Sequence, residues 1–266
     1  MDFEISFLNT KERLFMDYHV TAVYFSPTDT SRKGACAIAK TLGGTYNELD
    51  LTCHGTKAQF DLNEVVVFGA PVYGGRLFKG FVERLSGVRG DKTPCVITVT
   101  YGNRDYDDAL LELSDLVTSQ GFIPVAAAAL IGQHTYGSIQ VGRPNKNDLA
   151  EDAAFAEKVV NKLKNGDYSA PNVPGNRPYK EGGNGGSFIP LTNDNCVDCG
   201  SCAAECPMQA IGTDNRTIRT DRCISCFRCI RRCPVSAKHT DIPKYNEFAA
   251  MFTEKLKVPK ANNYFL

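Results

Sequence analysis

Charge of one sign is never in excess: thirty Lys and Arg balance thirty Asp and Glu across 266 residues. That balance removes the broad field with which a protein holds nucleic acid or an anionic membrane surface. Long apolar runs are missing too, and none approaches the ~20 residues that span a bilayer as a helix. Asp2, Glu4, Lys11, Glu12 and Arg13 interrupt any signal-peptide core, so the expectation is a cytoplasmic protein. The absence of a G-x-G-x-x-G turn and of a Walker lysine motif argues against a dinucleotide or a nucleoside triphosphate. No nucleophile elbow surrounds any serine. Histidine occurs four times, at positions 19, 54, 134 and 239, which leaves few imidazoles for proton chemistry.

Cysteine, by contrast, is plentiful, with eleven residues. A long chain without an export signal is not a disulfide-stapled miniprotein. Cys36, Cys53 and Cys95 are scattered singly in apolar or small-residue contexts and read as buried or idle thiols. The other eight form two runs, Cys196-x2-Cys199-x2-Cys202-x3-Cys206-Pro207 and Cys223-x2-Cys226-x2-Cys229-x3-Cys233-Pro234, in which every cysteine and the proline recur 27 residues later. Three thiolates at i, i+3 and i+6 wrap one face of a cubane, and the fourth, set apart before the proline, reaches the other cube. On that rule Cys196, Cys199, Cys202 and Cys233 hold one [4Fe–4S] cluster, and Cys223, Cys226, Cys229 and Cys206 hold a second. Zinc is the competing reading, but zinc knots use paired thiolates with wider gaps. The runs resemble bacterial two-cluster ferredoxins over about residues 191–241, and the resemblance implies a module that carries single electrons.

Upstream, β-type runs alternate with helical patterns, the signature of a parallel α/β sheet. The expected strands are His19–Phe25, Thr45–Leu51, Val65–Phe68, Cys95–Tyr101 and Phe122–Ile131. Apolar stripes at helical spacing lie between them: Ala35, Ile38, Ala39 and Leu42; Phe78, Phe81, Val82 and Leu85; Leu110, Leu113, Leu116 and Val117. A last stripe, Leu149, Ala153, Ala156, Val160 and Leu163, follows the fifth strand. Each stripe ends at glycine, and the helix between the second and third strands is poorly signalled. Residues 166–190 are rich in Gly, Pro and Asn and read as a linker. Residues 245–257 have the spacing of a short amphipathic helix. The expected division is residues 1–17 as an extension, 18–165 as a doubly wound five-stranded α/β domain, 166–190 as linker, 191–242 as a small α+β ferredoxin-like domain, and 243–266 as a tail.

In such a sheet, ligands bind outside the carboxyl ends of the strands, where strand order reverses. The loop after the first strand, Ser26-Pro27-Thr28-Asp29-Thr30-Ser31, puts hydroxyls and backbone N–H groups at a helix N-terminus, which makes an anion cradle. It resembles the phosphate loop of flavodoxins. Gly69-Ala70-Pro71-Val72-Tyr73-Gly74-Gly75 and Tyr101-Gly102-Asn103-Arg104-Asp105-Tyr106, after the third and fourth strands, resemble the flavin loops of that superfamily. The resemblance implies FMN bound by Ser26, Thr28, Thr30 and Ser31, by Pro71, Val72, Tyr73 and Gly74, and by Tyr101, Gly102, Asn103 and Arg104. Asp29 stands where the flavodoxin loop has glycine; its carboxylate is expected near the phosphate, with Arg32 and Lys33 offsetting it.

From about residue 18 the chain resembles the flavodoxin–ferredoxin fusion proteins of anaerobic bacteria and archaea. That likeness implies a flavodoxin-like domain with FMN joined to two clusters, and an electron carrier between redox protein partners with no nucleic acid and no membrane span. The rival expectation is a flavin-dependent reductase of a small-molecule substrate. It rests on residues 132–147, a long segment carrying Gln133, His134, Tyr136 and Arg143 that reads as a lid. Arg222, Arg228, Arg231 and Arg232 crowd the second cysteine run, as a solvated face or as a docking patch for an acidic partner.

Overall fold

The computed structural model describes residues 19–43 and 46–266; the expected extension, residues 1–17, lies outside the described residues. The α/β part holds the strands β1 (His19–Tyr24), β2 (Tyr46–Asp50), β3 (Ala58–Phe60), β4 (Glu64–Tyr73), β5 (Arg76–Leu77), β6 (Val88–Gly90), β7 (Thr93–Tyr101) and β8 (Phe122–Ile131). Its helices are α1 (Thr30–Leu42), α2 (Lys79–Leu85), α3 (Ala109–Ser119) and α4 (Lys146–Lys164). The C-terminal part adds β9 (Leu191–Thr192), α5 (Ser201–Ala204), α6 (Arg228–Arg232), β10 (Lys238–His239), α7 (Pro243–Lys255) and β11 (Asn263–Phe265).

Five strands pair in parallel in the order β2-β1-β4-β7-β8. Strand order therefore reverses between β1 and β4, and the loops leaving β1, β4 and β7 meet at one edge. Both faces are covered at β1, β4, β7 and β8, which read as near-continuous apolar runs, while the edge strand β2 is polar and largely exposed. Val66 and Phe68 of β4 face the core under α2 and α3, while Val65 and Val67 face the core under α1 and α4.

The sheet departs from the five expected strands in three places. Among the described residues it has seven, because β5 pairs antiparallel with β4, and β11 pairs antiparallel with β8. No helix joins β2 to β4; β3 lies there and pairs with β6 in a separate two-stranded sheet. The third strand runs on to Tyr73, since its ladder with β7 persists to Pro71 opposite Thr100 and Val72 then pairs with Leu77. Pro71, Val72 and Tyr73 are thus strand residues rather than loop residues.

Residues 166–190 contain no regular element, yet they are tied down. The Asp108 carboxylate accepts the backbone N–H groups of Asn176 (2.8 Å) and Lys180 (2.7 Å). Gly183 N–H donates to the Tyr73 carbonyl at 2.8 Å. The stretch is a strap laid along the sheet. The tail also returns: Asn103 Nδ2 donates to the carbonyls of Leu256 and Val258, both at 2.8 Å, and Ile131 N–H donates to Asn262 Oδ1 at 2.8 Å. No helix among the described residues is long and apolar enough to cross a membrane.

Asp152 on α4 is 1% exposed and accepts the Tyr264 hydroxyl of β11 at 2.8 Å. Burial pushes its carboxyl up to about 7. The folded state then keeps a proton that the unfolded chain releases near pH 4, so this carboxyl's contribution to stability falls as pH rises from about 4 to about 7. Asp152→Asn is expected to raise the thermal midpoint by several degrees at pH 8 and by little at pH 4–5, and unfolding of both proteins across that range checks it.

Candidate cofactor sites

A cavity of about 280 Å³ opens at the switch point of the sheet. The turn after β1 contributes Pro27, Thr28, Thr30 and Ser31, and the end of β4 contributes Pro71, Val72, Tyr73 and Gly74. The end of β7 contributes Thr100, Tyr101, Gly102 and Arg104. Ser31 Oγ and Thr100 Oγ1 are buried there without a hydrogen-bond partner, a cost of roughly 1–3 kcal/mol each unless a ligand satisfies them. The N-terminus of α1 opens on the same space, offering backbone donors to an anion. Tyr73, packed on Phe78 at 5.0 Å, and Tyr101 stand on two sides.

Two expected residues fall outside this wall. Ser26 Oγ accepts Arg32 N–H at 3.0 Å, and Ser26 N–H donates to Thr52 Oγ1 at 2.8 Å, so it fastens the turn from behind. Asn103 points to the C-terminal tail and accepts Lys260 N–H at 2.8 Å as well. Its amide satisfies three backbone groups of a tail that sequence spacing could not place there. Asp29 takes the left-handed conformation a glycine would occupy (φ 64°), but its carboxylate turns to Arg232 at 3.1 Å. Arg32, expected to offset it, is paired with Glu48 through two contacts of 2.6 and 2.8 Å.

The far wall comes from residues that the sequence did not point to for this cavity: Asn184, Gly185 and Gly186 of the strap, and Ser225 and Cys226 of the second cysteine run, the last expected only as a cluster ligand. A Cβ on Gly186 would stand 1.7 Å from the Tyr136 hydroxyl, so glycine is what lets strap and loop touch. The G-G-N-G-G run was the available signal, since such runs mark close backbone approach.

The segment from residue 132 to 147, expected as a lid, is a fixed seam. Gln133 N–H and His134 N–H donate across it to the carbonyls of Arg143 and Ile139 at 3.0 and 3.1 Å. The Tyr136 ring lies within 5.2–6.2 Å of Phe227, Phe188, Phe248 and Tyr245. His134 Nδ1 accepts Tyr136 N–H at 2.8 Å, its ring stands edge-on to Phe252 at 5.0 Å, and burial lowers it to about 4. Burial thus keeps it neutral at physiological pH.

The eight clustered cysteines ring two cavities. Cys206, Cys223, Cys226 and Cys229 line one; Cys196, Cys199, Cys202 and Cys233 line the other. Among the described residues no three His, Cys, Asp or Glu groups converge on one ion-sized point; the thiols surround a volume instead. The 27-residue repeat is also a repeat of backbone: Asp198 and Ser225, Gly200 and Phe227, and Gln209 and Ser236 all have positive φ between 49° and 76°. Ala210 N–H donates to Cys206 Sγ at 3.3 Å and Ala237 N–H to Cys233 Sγ at 3.1 Å. The surroundings differ, for burial pushes Cys226 and Cys229 up to about 12 while Cys199 is exposed.

Residues 189–240 match the family described as 4Fe-4S dicluster domain. No curated protein matches the chain. Among solved structures, the flavodoxin of Streptococcus pneumoniae TIGR4 is 16% identical, covering 54% of this chain and 98% of its own, with a TM-score of 0.38. A short-chain flavodoxin associated with a non-canonical PDU bacterial microcompartment is 15% identical, covering 55% and 98%, with a TM-score of 0.39. The Trp repressor binding protein of Bacillus subtilis is 10% identical, covering 50% and 94%, at 0.29. The sheet order itself gives the α/β part its flavodoxin-like class, and the dicluster domain packs against the cavity at its carboxyl edge.

Because the Asp29 carboxylate is turned to Arg232, the like-charge penalty expected beside a phosphate is already offset. Asp29→Asn is expected to change FMN affinity by less than about threefold, within the worth of a half-exposed ion pair. Fluorescence titration of flavin-free protein checks it, and a much larger gain would put the carboxylate back beside the phosphate.

Proposed function

We propose that the chain is an intramolecular electron carrier, with FMN in the sheet-edge cavity and a [4Fe–4S] cluster in each cysteine cavity. The observation that carries this reading is that Cys226 lines both the sheet-edge cavity and one cysteine cavity. FMN exchanges two electrons, paired or singly, while each cluster exchanges one. Thr28, Thr30, Ser31 and the α1 N-terminus would hold the phosphate; Tyr73, Tyr101 and Gly102 would bracket the ring. Asn184, Gly185, Gly186 and Ser225 close the open side and exclude water. Joining both carriers in one chain replaces a bimolecular encounter by a fixed one.

The cavity of Cys196, Cys199, Cys202 and Cys233 is the outward one. Leu191, Val197 and Val235 are exposed, Val197 at 63%, beside it. This face suits transient contact with a redox protein partner. Arg228 and Arg232, expected as part of a solvated face or of a docking patch, are engaged within the molecule with Pro27, Glu205 and Asp29. The reductase reading needed polar groups free to orient a substrate, but Gln133 Oε1 accepts Gly142 N–H at 3.1 Å and Tyr136 is packed among aromatic rings. The carrier reading needs none of them.

Anaerobic reconstitution is expected to give about eight irons and one FMN per chain, as two cubanes require. Cys206→Ala should remove the EPR signal of the cluster of Cys223, Cys226 and Cys229 and leave the other intact. Loss confined to the cluster of Cys196 would refute the shared ligation.

A further inference from the structure

Arg228 stands one residue before Cys229, on α6, with only 13% of its side chain exposed. Two arms of its guanidinium are committed. Nη1 donates to the Pro27 carbonyl in the loop after β1 at 2.8 Å, and Nη2 pairs with Glu205 at 2.9 Å. The third arm, Nε–H, is buried and has no hydrogen-bond partner. Arg228 lines the cavity of Cys206, Cys223, Cys226 and Cys229. A buried N–H on a permanent cation is costly to leave unpaired, and anionic sulfur is what the cavity would offer it. Glu205 is itself the residue before Cys206, and its second cationic partner, Arg232 at 3.2 Å, also binds Asp29 at 3.1 Å.

We propose that Arg228 is a positioning residue for electron transfer: it donates Nε–H to the inner cluster and raises that cluster's reduction potential, while Nη1 fixes the flavin phosphate loop. The inference rests on the reading that this cavity holds a [4Fe–4S] cluster. When that cluster takes one electron from the outer one, its net negative charge grows by one, so a fixed cation favours the reduced form. Burial acts the other way, because it penalises the more highly charged state. Arg228 offsets that penalty at the one cluster pressed against the sheet, and Glu205 limits the offset by neutralising part of its charge.

The two partners therefore predict opposite signs. EPR-monitored redox titration of the reconstituted holoprotein is expected to show a lower inner-cluster potential in Arg228→Gln, an intermediate one in Arg228→Lys, and a higher one in Glu205→Gln. The outer cluster should not move in any of them. Stopped-flow reduction of the flavin by dithionite should slow by about tenfold in Arg228→Gln, the worth of one charged hydrogen bond. Should Arg228→Gln fail to assemble the inner cluster, Arg228→Lys and Glu205→Gln still decide the sign. Shifts of the same sign in the Arg228 and Glu205 variants, or none with iron content intact, would overturn the role of Arg228. A wild-type protein lacking an inner-cluster signal would overturn the cluster reading instead.

Discussion

Cys226 belongs to two cavities, one at the carboxyl edge of the sheet and one enclosed by four thiols. A single stretch of backbone, Ser225–Cys226, thus serves as the outer wall of the first and a corner of the second. The remaining architecture keeps that wall in place. A flavodoxin-like sheet by itself leaves this edge to solvent, and a dicluster domain by itself has no reason to sit there. What brings them together is a set of contacts whose sequence separations run from about 50 to 200 residues.

The strength of that seam is apolar more than ionic. Asp29–Arg232 and Glu205–Arg232 are roughly 40% exposed at each partner, and such pairs contribute about 0–1 kcal/mol. The rings around Tyr136 are each worth about 0.5–1.5 kcal/mol beyond their buried area, and four of them meet one tyrosine. The chain then closes on itself, as residues 256–260 are fastened to Asn103 and β11 completes the ladder beside β8. Arg84 adds a polar rivet, with one arm on the Leu51 and Thr52 carbonyls and the other on the Pro207 carbonyl beside Cys206. The aromatic rings hold the modules together, and the charged groups set their register.

The parts that sequence could disclose are those governed by short-range periodicity. Strand alternation, helical stripes and the 27-residue repeat are local properties, and the sheet and the cysteine groupings follow from them. Sequence missed what depends on distant segments meeting. Asn103 looked like a flavin ligand because it follows β7, yet its amide is captured by a tail more than 150 residues away. Ser225 carried no signal as a cavity residue, since nothing near it specifies which surface the cysteine run will face. The β11 strand is three residues long and has no pattern until β8 supplies its partner. The segment around Tyr136 read as a lid because it is long; its aromatic anchor points come from three separate stretches.

Two runs of the same spacing build two thiol cages of the same backbone, so the sequence repeat by itself makes the two sites equivalent. Packing breaks that equivalence. One run's turn lies against the sheet-edge cavity and brings Arg228 and Glu205 together; its counterpart leaves Cys199 and Val197 exposed. Equal cages in unequal surroundings acquire unequal potentials, because hydration, burial and fixed charge act on the cluster's net charge whatever its ligands. Direction in an electron path therefore does not need different ligands. Here one half of the repeat is pressed against a second domain while the other half keeps Val197 and Cys199 exposed.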